Sequence, residues 1–377
     1  MRTIGVEEEF LIVAEGNGLP LPLAGNILDA VGPMGSGPVL TTEFKQEQIE
    51  VNTRPCRTVE GLLAEILAGR ALADGAARGL GARIAATATP PVFSSTFTLG
   101  NRRYAVMAER FGVVAREQIT CGFHVHVSID SREEGIGVLD RIRPWLPVLL
   151  ALSANSPFWK AENTGFASYR TQMWSKWPTA GPTEVFGSAA RYDRAIAGLI
   201  ETGVLLDEGM VYFDARLSKN NPTVEIRVAD ICLYAEDAAV LAAVIRALVE
   251  TSAREWLLGT APPAVDTGTL RLANWQASRY GVNESLIGPL DGRPCPAARA
   301  VDALSSHVRH ALEQSGDLML ARAGLADILS RGTGERLQRQ AFGRGNTADV
   351  VAAIVSATHG GGRPDGKTEA VPERESI

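Results

Sequence analysis

The chain has 377 residues, of which 45% are hydrophobic and 21% are charged, and its formal net charge is -6. This composition is typical of a globular protein with a large core, and 37 Lys and Arg against 43 Asp and Glu leave no positive excess for binding nucleic acid. The sequence contains no run of about eighteen uncharged apolar residues that would predict a membrane span, and no signal-peptide pattern. The four cysteines lack CxxC spacing, so we expect a cytoplasmic protein with reduced thiols.

Alternating polar and β-branched or aromatic residues predict strands at 3–13, 48–52, 83–88, 122–129 and 223–230. Helical spacing of Ala, Leu, Arg and Glu predicts helices between them, most clearly at 59–78, 235–258 and 301–322. We expect a single domain over residues 1–358. Residues 359–377 have almost no apolar side chains, which predicts a disordered polar tail.

The first predicted strand contains IGVEEEFLI at 4–12, with three consecutive acids. Side chains alternate across a strand, so Glu7 and Glu9 share one face, while Glu8 falls among the apolar residues of the other. We expect Glu8 to pair with an arginine or to lie at a strand end, because a buried ionised carboxylate needs a partner. Taken alone, the face with Glu7 and Glu9 is also typical of a solvated sheet surface.

The next acidic segment is TTEFKQEQIEVNT at 41–53. Glu50 shares a strand face with Gln48 and Asn52. Glu43 lies an odd number of residues from Glu50, so a bulge or a turn is required if both are to face one site.

The strand at 122–129 carries HVHVS, in which His124 and His126 share a face. Such a pair can bind zinc, but a hydrolytic zinc site takes further His or Cys ligands. The other histidines, His307, His310 and His359, lie in the predicted helix and the tail. One histidine among several carboxylates instead indicates a hard cation such as magnesium or manganese.

The segment 153–187 is dense in Pro, Gly, Asn and aromatic residues, which predicts a long ordered loop of the kind that is usually functional. Its tryptophans Trp159, Trp174 and Trp177 are equally typical of a pocket wall and of ordinary packing. Residues 361–368, GGRPDGKT, match a phosphate-binding loop pattern. We expect this match to be coincidental, because such a loop needs a buried strand before it and a helix after it.

The last polar strand face is in NPTVEIRVAD at 221–230, where Glu225 and Arg227 point the same way. An acid and a guanidinium two residues apart could simply neutralise each other. Together with the acid and histidine faces upstream, however, the pair predicts a carboxylate-walled basin. Divalent cations there would hold polyphosphate while arginines balance the remaining charge.

Several ordered motifs resemble the type-2 glutamate–cysteine ligase family, carboxylate–amine ligases of the glutamine synthetase-like superfamily. They are TIGVEEEFLIV, TTEFKQEQIEVNT, CGFHVHVSID, SPFWKAENTGFASYR, FDARLSKNNPTVEIRVAD and NWQASRYGV, which lie between about residue 3 and residue 285. The resemblance implies an α+β fold in which a curved, mainly antiparallel sheet forms an active-site basin with helices packed outside. It also implies ATP and Mg²⁺ (or Mn²⁺) as cofactors, small-molecule acid and amine substrates, and a homo-oligomer.

The resemblance further assigns residues to roles. The implied metal ligands are Glu7, Glu9, Glu43, Glu50, His124 and Glu225. The implied catalytic residues are Arg227, Arg170 and Arg216, and the implied nucleotide-binding residues are His126, Arg227 and Arg279. The segment SKNN at 218–221 is less basic than its counterpart in many relatives, so the loop before Pro222 is expected to recognise something different.

The reaction implied is attack of a carboxylate on the γ-phosphate of ATP, followed by capture of the acyl phosphate by an amine. Glutamate is the family default for the acid, with cysteine or another amine as acceptor. One alternative is a metal-dependent amidohydrolase built on His124 and His126, which the scarcity of further histidines disfavours. Another is a non-catalytic nucleotide-binding relative, in which the buried acids would cost stability without serving a purpose.

Overall fold

The computed structural model describes residues 1–33, 35–92 and 95–360. The phosphate-loop match at 361–368 and most of the predicted tail at 359–377 lie outside these residues. The strands are β1 (Ile4–Ala14), β2 (Val39–Thr42), β3 (Gln48–Asn52), β4 (Ala82–Ala85), β5 (Gly122–Ser128), β6 (Phe158–Trp159), β7 (Glu162–Asn163), β8 (Ala215–Leu217), β9 (Thr223–Asp230), β10 (Ser285–Ile287) and β11 (Pro294–Pro296).

The helices are distributed between and after the strands. They are α1 (Ala24–Val31), α2 (Val59–Arg78), α3 (Arg102–Phe111), α4 (Val113–Glu117), α5 (Arg132–Ile142), α6 (Leu146–Ser153), α7 (Tyr169–Trp174), α8 (Ala189–Glu201), α9 (Ala235–Leu257), α10 (Thr267–Tyr280), α11 (Ala297–His307), α12 (Arg309–Ser315), α13 (Leu318–Arg331), α14 (Gly334–Arg344) and α15 (Thr347–Thr358). Among the described residues, no helix combines the length and the apolar character needed to cross a bilayer.

The main sheet has seven strands in the order β2-β3-β1-β5-β9-β8, with β4 also paired to β1. Each of its strand pairs is antiparallel, and the α+β class is confirmed. Strand β1 is central. Glu7 lies opposite Asn52 of β3 and His124 of β5, and Glu9 lies opposite Glu50. The register therefore places the predicted acids and the first histidine side by side.

One face of this sheet is apolar and packs on helices. Val6, Val125 and Ile226 are almost completely buried in the same core as helix α9, whose alanine-rich face allows close approach to the strands. Because side chains alternate, burying these residues turns their polar neighbours to the opposite face.

Glu8 lies on the apolar face, as the alternation requires, and its expected arginine is Arg70 of α2. Arg70 Nη2 donates to Glu8 Oε1 at 2.6 Å, and Nε donates to Oε2 at 3.2 Å. Arg70 also donates to the carbonyls of Leu233 and Cys232 at 2.9 and 2.8 Å. This buried ion pair is thus satisfied on both sides, which is the condition for tolerating charge in a core.

The prediction of one long loop over 153–187 was wrong in part. The segment contains the β6–β7 hairpin and helix α7, and it is anchored on the buried Asp230 at the end of β9. The Asp230 carboxylate accepts hydrogen bonds from Asn155 N, Ser156 Oγ and Ser168 Oγ at 2.7–2.9 Å. Sequence pattern could not reveal this anchor, because the carboxylate is distant in sequence from the segment it holds.

Two other predicted bounds also needed correction. The helix expected over 301–322 is divided among α11, α12 and α13, with breaks at Val308 and at Gly316, whose φ of 81° is left-handed. A left-handed residue ends a helix, and glycine adopts this conformation without strain. The strand expected over 83–88 ends at Ala85, where the next backbone N–H, that of Ala86, donates to Thr358 Oγ1 instead of a strand.

Candidate active site

A cluster of carboxylates is formed by Glu9, Glu43 and Glu50, each of which offers an oxygen within 4.8 Å of the others. Glu9 and Glu50 are cross-strand partners on β1 and β3. Glu43 follows the end of β2 at Thr42, so a turn supplies the change of direction that the odd spacing requires. The three acids are therefore brought to one point by the sheet register and one turn.

The hydrogen bonds that the described residues donate to these acids reach one oxygen of each carboxylate. Gly122 N donates to Glu9 Oε2 at 2.6 Å, Asn52 Nδ2 and Thr41 Oγ1 donate to Glu50 Oε1 at 2.7 and 2.8 Å, and Phe44 N donates to Glu43 Oε2 at 3.1 Å. Burial and the nearby Glu50 raise the pKa of Glu9 to about 7, against the opposing effect of Arg170. Burial, together with Glu50 and Glu9, raises the pKa of Glu43 well above its usual range. An all-oxygen set in mutual repulsion fits a hard divalent cation.

A second cluster contains Glu7, His124 and Glu225. His124 Nδ1 lies 3.0 Å from Glu7 Oε2, whereas the buried Nε2 has no hydrogen-bond partner among the described residues and lies 3.8 Å from Glu9 Oε1 of the first cluster. Burial and the positive Arg227 lower the pKa of His124 to about 4. The ring is therefore neutral at pH 7, which is the form that binds metals, and its free nitrogen faces the first cluster.

Glu225 is held by two guanidinium groups. Arg216 Nε and Nη2 donate to its two oxygens at 2.7 and 3.2 Å, and Arg227 Nη1 is also paired with it. Burial alone would raise the pKa of Glu225, but Arg227 and Arg216 lower it to about 2. Two guanidinium charges on one carboxylate leave a positive excess, which suits binding of phosphate beside the cluster.

Strand alternation puts Glu225 and Arg227 on one face, and an irregularity in the pairing of β5 with β9 lies at Arg227. Partners shift from Phe123 with Ala229 to Val125 with Ile226, which leaves an extra residue on β9 opposite His124. Such bulges redirect side chains and are common beside active sites.

His126 is placed behind Glu7. Its Nε2 lies 3.0 Å from Glu7 Oε1 and its Nδ1 lies 2.9 Å from Thr223 Oγ1. Burial would raise the pKa of Glu7, but its hydrogen bonds with His124 and His126 hold that pKa well below the usual range. His126 thus orients a carboxylate of the second cluster, and its contact with nucleotide stays a prediction.

Arg170 is buried under the basin and donates to the carbonyls of Arg227 and Val228 at 3.2 and 3.4 Å. Gly122 leaves the room for it, because a Cβ there would come within 2.5 Å of Arg170 Nη2 and within 2.9 Å of His124 Nε2. Arg170 therefore contacts the backbone of Arg227 and Val228 beside the clusters, and its catalytic role stays a prediction.

Arg279 lies farther out in the structure. Its guanidinium is stacked over the rings of Phe166 and Tyr280, with centroid distances of 5.4 and 5.3 Å. It is not part of the lining of the two cavities around the clusters. Among the described residues, Arg279 is therefore not placed at the carboxylate clusters. Its assignment to nucleotide binding stays a prediction.

The two clusters open into a cavity of about 450 Å³, called the basin below. Tyr104, Trp174, Trp177 and Tyr212 supply its aromatic wall, so two of the three loop tryptophans belong to the site, while Trp159 does not line it. A side cavity of about 250 Å³ shares Trp174, Tyr212 and Arg227 with the basin.

Sequence reasoning missed several residues of these cavities, including Arg103, Lys219, Asp214 and Asn274. The signal for Asp214 was present, since it lies two residues before Arg216 in FDARL. Arg103 and Asn274 come from helices, where helical spacing alone does not distinguish a cavity wall from a solvated face.

The chain is similar in sequence to proteins of one family. A family model described as glutamate–cysteine ligase family 2 matches residues 3–357. A relative from Paenarthrobacter aurescens, named "Putative glutamate–cysteine ligase 2-1", is 61% identical over 95% of each chain. A Streptomyces coelicolor relative, of the same name without the final numeral, is 48% identical over 95% of this chain and 99% of its own.

Solved structures show the fold. The chain is similar to a glutamate–cysteine ligase of Francisella tularensis in complex with AMP, with a TM-score of 0.68, 14% identity, and coverage of 95% of this chain and 89% of the other. It is also similar to a bifunctional glutathione synthetase of Pasteurella multocida, with a TM-score of 0.69, 16% identity, and coverage of 95% of this chain and 52% of the other. The expected glutamine synthetase-like architecture is confirmed.

Proposed function

The chain belongs to glutamate–cysteine ligase family 2 and is an ATP-dependent carboxylate–amine ligase, and we propose that the basin between its two carboxylate clusters is where the acid is activated. The observation that supports this is a pair of neighbouring clusters with five carboxylates and one histidine. The histidine, His124, has an Nε2 without a hydrogen-bond partner among the described residues, and two arginines pair with Glu225.

The residues fit Mg²⁺ or Mn²⁺. Glu9, Glu43 and Glu50 would hold one ion, and Glu7, His124 and Glu225 would hold another, because both sets offer mainly hard oxygen donors. Bound cations supply neutralisation of the carboxylates and of the phosphate oxygens of ATP. The repulsion within the first cluster, and the free His124 Nε2 that faces it, are the features that such ions would satisfy.

The protein residues position and balance charge. An oxygen of the acid attacks the γ-phosphorus, ADP leaves, and an acyl phosphate forms; the amine nitrogen then attacks the acyl carbon and inorganic phosphate leaves. We assign Arg227 and Arg216 to the phosphate oxygens, where a planar guanidinium can make paired hydrogen bonds. The aromatic wall of the basin keeps water from the acyl phosphate. No covalent protein nucleophile is needed, since phosphoryl transfer depends mainly on positioning and electrostatics.

The substrates are proposed at a finer level. The names of the relatives indicate glutamate as the acid and cysteine as the amine, and another amine is the alternative that the sequence left open. We also propose that the enzyme acts in the cytoplasm as a homo-oligomer and without nucleic acid. The free state of its four cysteines supports a reducing compartment.

The test is ADP release from ATP and Mg²⁺ over a panel of amino acids and simple carboxylic acids, with and without amines that include cysteine. Product masses should show an amide formed in step with ADP. Amide hydrolysis without ATP would favour the amidohydrolase alternative, which is disfavoured because His124 is the single histidine in the two clusters of described residues. ATP binding without turnover would favour the non-catalytic alternative.

A further inference from the structure

The side cavity is the part of the site that no motif explained. It adjoins the basin through Arg227, Trp174 and Tyr212, which line both spaces. Its own polar lining includes Asp214, which precedes β8, and residues of helix α10. A molecule with one end in the side cavity can therefore extend its other end past Arg227 to the carboxylate clusters.

Asp214 is an acceptor that forms no close ion pair with a described residue. Its Oδ2 accepts a hydrogen bond from Asn274 Nδ2 at 2.7 Å, while its Oδ1 accepts none from a described residue. Burial raises the pKa of Asp214 to about 6, although Asn274, Arg170 and Arg271 oppose the shift. Among the described residues it has no ion pair, so a ligand that brings a positive charge would stabilise its ionised form.

Asn274 adds a second acceptor. It is buried, with 7% of its surface exposed, and its Oδ1 has no hydrogen-bond partner among the described residues. A buried acceptor left unpaired costs free energy unless a ligand or water satisfies it. Two unsatisfied acceptors therefore lie on one wall of the side cavity.

Arg271 supplies the opposite charge. It lies three residues before Asn274 on α10, so both are on one helix face, and both line the side cavity. Arg271 is exposed and forms no hydrogen bond or ion pair within the described residues. A guanidinium free to bind an anion thus lies beside the two free acceptors, in a space of about 250 Å³.

We propose that the side cavity binds the zwitterionic head group of an amino-acid substrate, with Asp214 and Asn274 accepting from its ammonium and Arg271 binding its carboxylate. The inference rests on the proposed ligase function and adds the place where the head group binds and the three residues that select it. A dicarboxylic acid would leave Asp214 facing a like charge, and a simple amine would leave Arg271 unused. Both the proposed acid and the proposed amine carry such a head group, and the two arms of the experiment distinguish them.

The first arm of the experiment, called the acid arm, varies the acid substrate. It compares three carboxylic acids at a saturating concentration of L-cysteine. L-glutamate carries both head-group charges, glutarate lacks the ammonium, and 4-aminobutyrate lacks the carboxylate next to it. If the acid supplies the head group, Asp214→Asn should lower kcat/KM for L-glutamate by about tenfold or more while changing glutarate little. Arg271→Ala should remove the preference for L-glutamate over 4-aminobutyrate by a similar factor, since a charged hydrogen bond is lost in each case.

The amine arm compares L-cysteine with cysteamine, which lacks the carboxylate, at saturating L-glutamate. If the amine supplies the head group, Arg271→Ala should remove the preference for L-cysteine, and the acid arm should be unchanged. Matched controls are Asp302→Asn and Arg299→Ala, exposed residues of α11 that line neither cavity. Thermal unfolding of each variant identifies a loss that comes from misfolding.

Titration calorimetry measures the affinity of the wild type and of both variants for L-glutamate, L-cysteine and their analogues. This tests binding in the side cavity without turnover. Selective weakening in the variants would support the inference even if the wild type formed no amide, which would count against the proposed function alone. Equal losses for all compounds, or no change for any, in both kinetics and binding would overturn the inference.

Discussion

Glu8 and Glu9 are neighbours on β1, yet they lie on opposite faces of the sheet and have different partners. Glu8 faces the helices and is completed within the chain by Arg70, which itself donates to the two backbone carbonyls of Leu233 and Cys232. Glu9 faces the basin, where it has one backbone donor and two nearby acids. Glu8, whose charge is balanced by an arginine of the same chain, has a structural role. Glu9, whose charge is not balanced by a close ion pair with an arginine or lysine of the described residues, is available to bind an external cation.

The largest effect should come from neutralising Glu9, the carboxylate that faces the basin. Glu9→Gln should lower metal-dependent ADP release by at least about a thousandfold, because a neutral amide cannot replace a carboxylate ligand. The metal-free protein should unfold at the same or a higher temperature, since one of three repelling charges is gone. Turnover close to that of the wild type would show that the first cluster does not serve the reaction.

Neutralising Glu8, the carboxylate paired with Arg70, should instead lower stability and leave turnover unchanged. Glu8→Gln leaves the Arg70 guanidinium buried without its counter-charge, and breaking such a pair costs about 3–5 kcal/mol of unfolding free energy. Denaturant unfolding measures the loss. Protein that remains folded should keep metal-dependent turnover, so a selective loss of activity without destabilisation would contradict the structural role of Glu8.

Arg227→Lys sharpens the comparison on the basin side. The lysine retains the charge but not the planar paired donors, so turnover should fall by about ten- to a hundredfold. Steady-state kinetics with varied ATP measures it, and Arg141→Lys, at a buried arginine that lines neither cavity, is the control. An unchanged rate would mean that a point charge suffices at this position.

The pH dependence of stability should separate the two sides further. Because the pKa of Glu9 is raised to about 7 in the folded metal-free protein, its contribution to stability is fully present below about 4.5 and is lost as pH rises through about 7. The loss should be on the order of 1–3 kcal/mol, absent in Glu9→Gln and offset by added Mg²⁺. Denaturant unfolding across this range with and without Mg²⁺ measures it, and a wild-type slope identical to that of Glu9→Gln would contradict the assignment.

The smallest effect should come from the C-terminal motif. Deleting residues 361–377, which include GGRPDGKT, should change turnover by less than about twofold, because the phosphate chemistry is assigned to the basin. ATP binding by calorimetry is the measurement. A large loss of ATP affinity would place phosphate binding in that motif instead.

Much of the basin could be predicted because strand alternation is a local property. It placed Glu7 with Glu9, and His124 with His126, on shared faces before any partner was known. It also showed that Glu43 needed a turn to join Glu50, and the end of β2 supplies one. The division of the expected 301–322 helix was harder to predict, because an apolar pattern continues across Gly316 while the backbone does not.

The sequence by itself determined which faces carry acids, which face is apolar, and to which family the motifs point, because these depend on residue type and short-range spacing. Only the tertiary structure decided that Glu8 meets Arg70, 62 residues away, and that Asp214 meets Asn274, 60 residues away. Such pairings depend on how helices pack against the sheet, and no local pattern encodes the distance between two side chains brought together by a long connection.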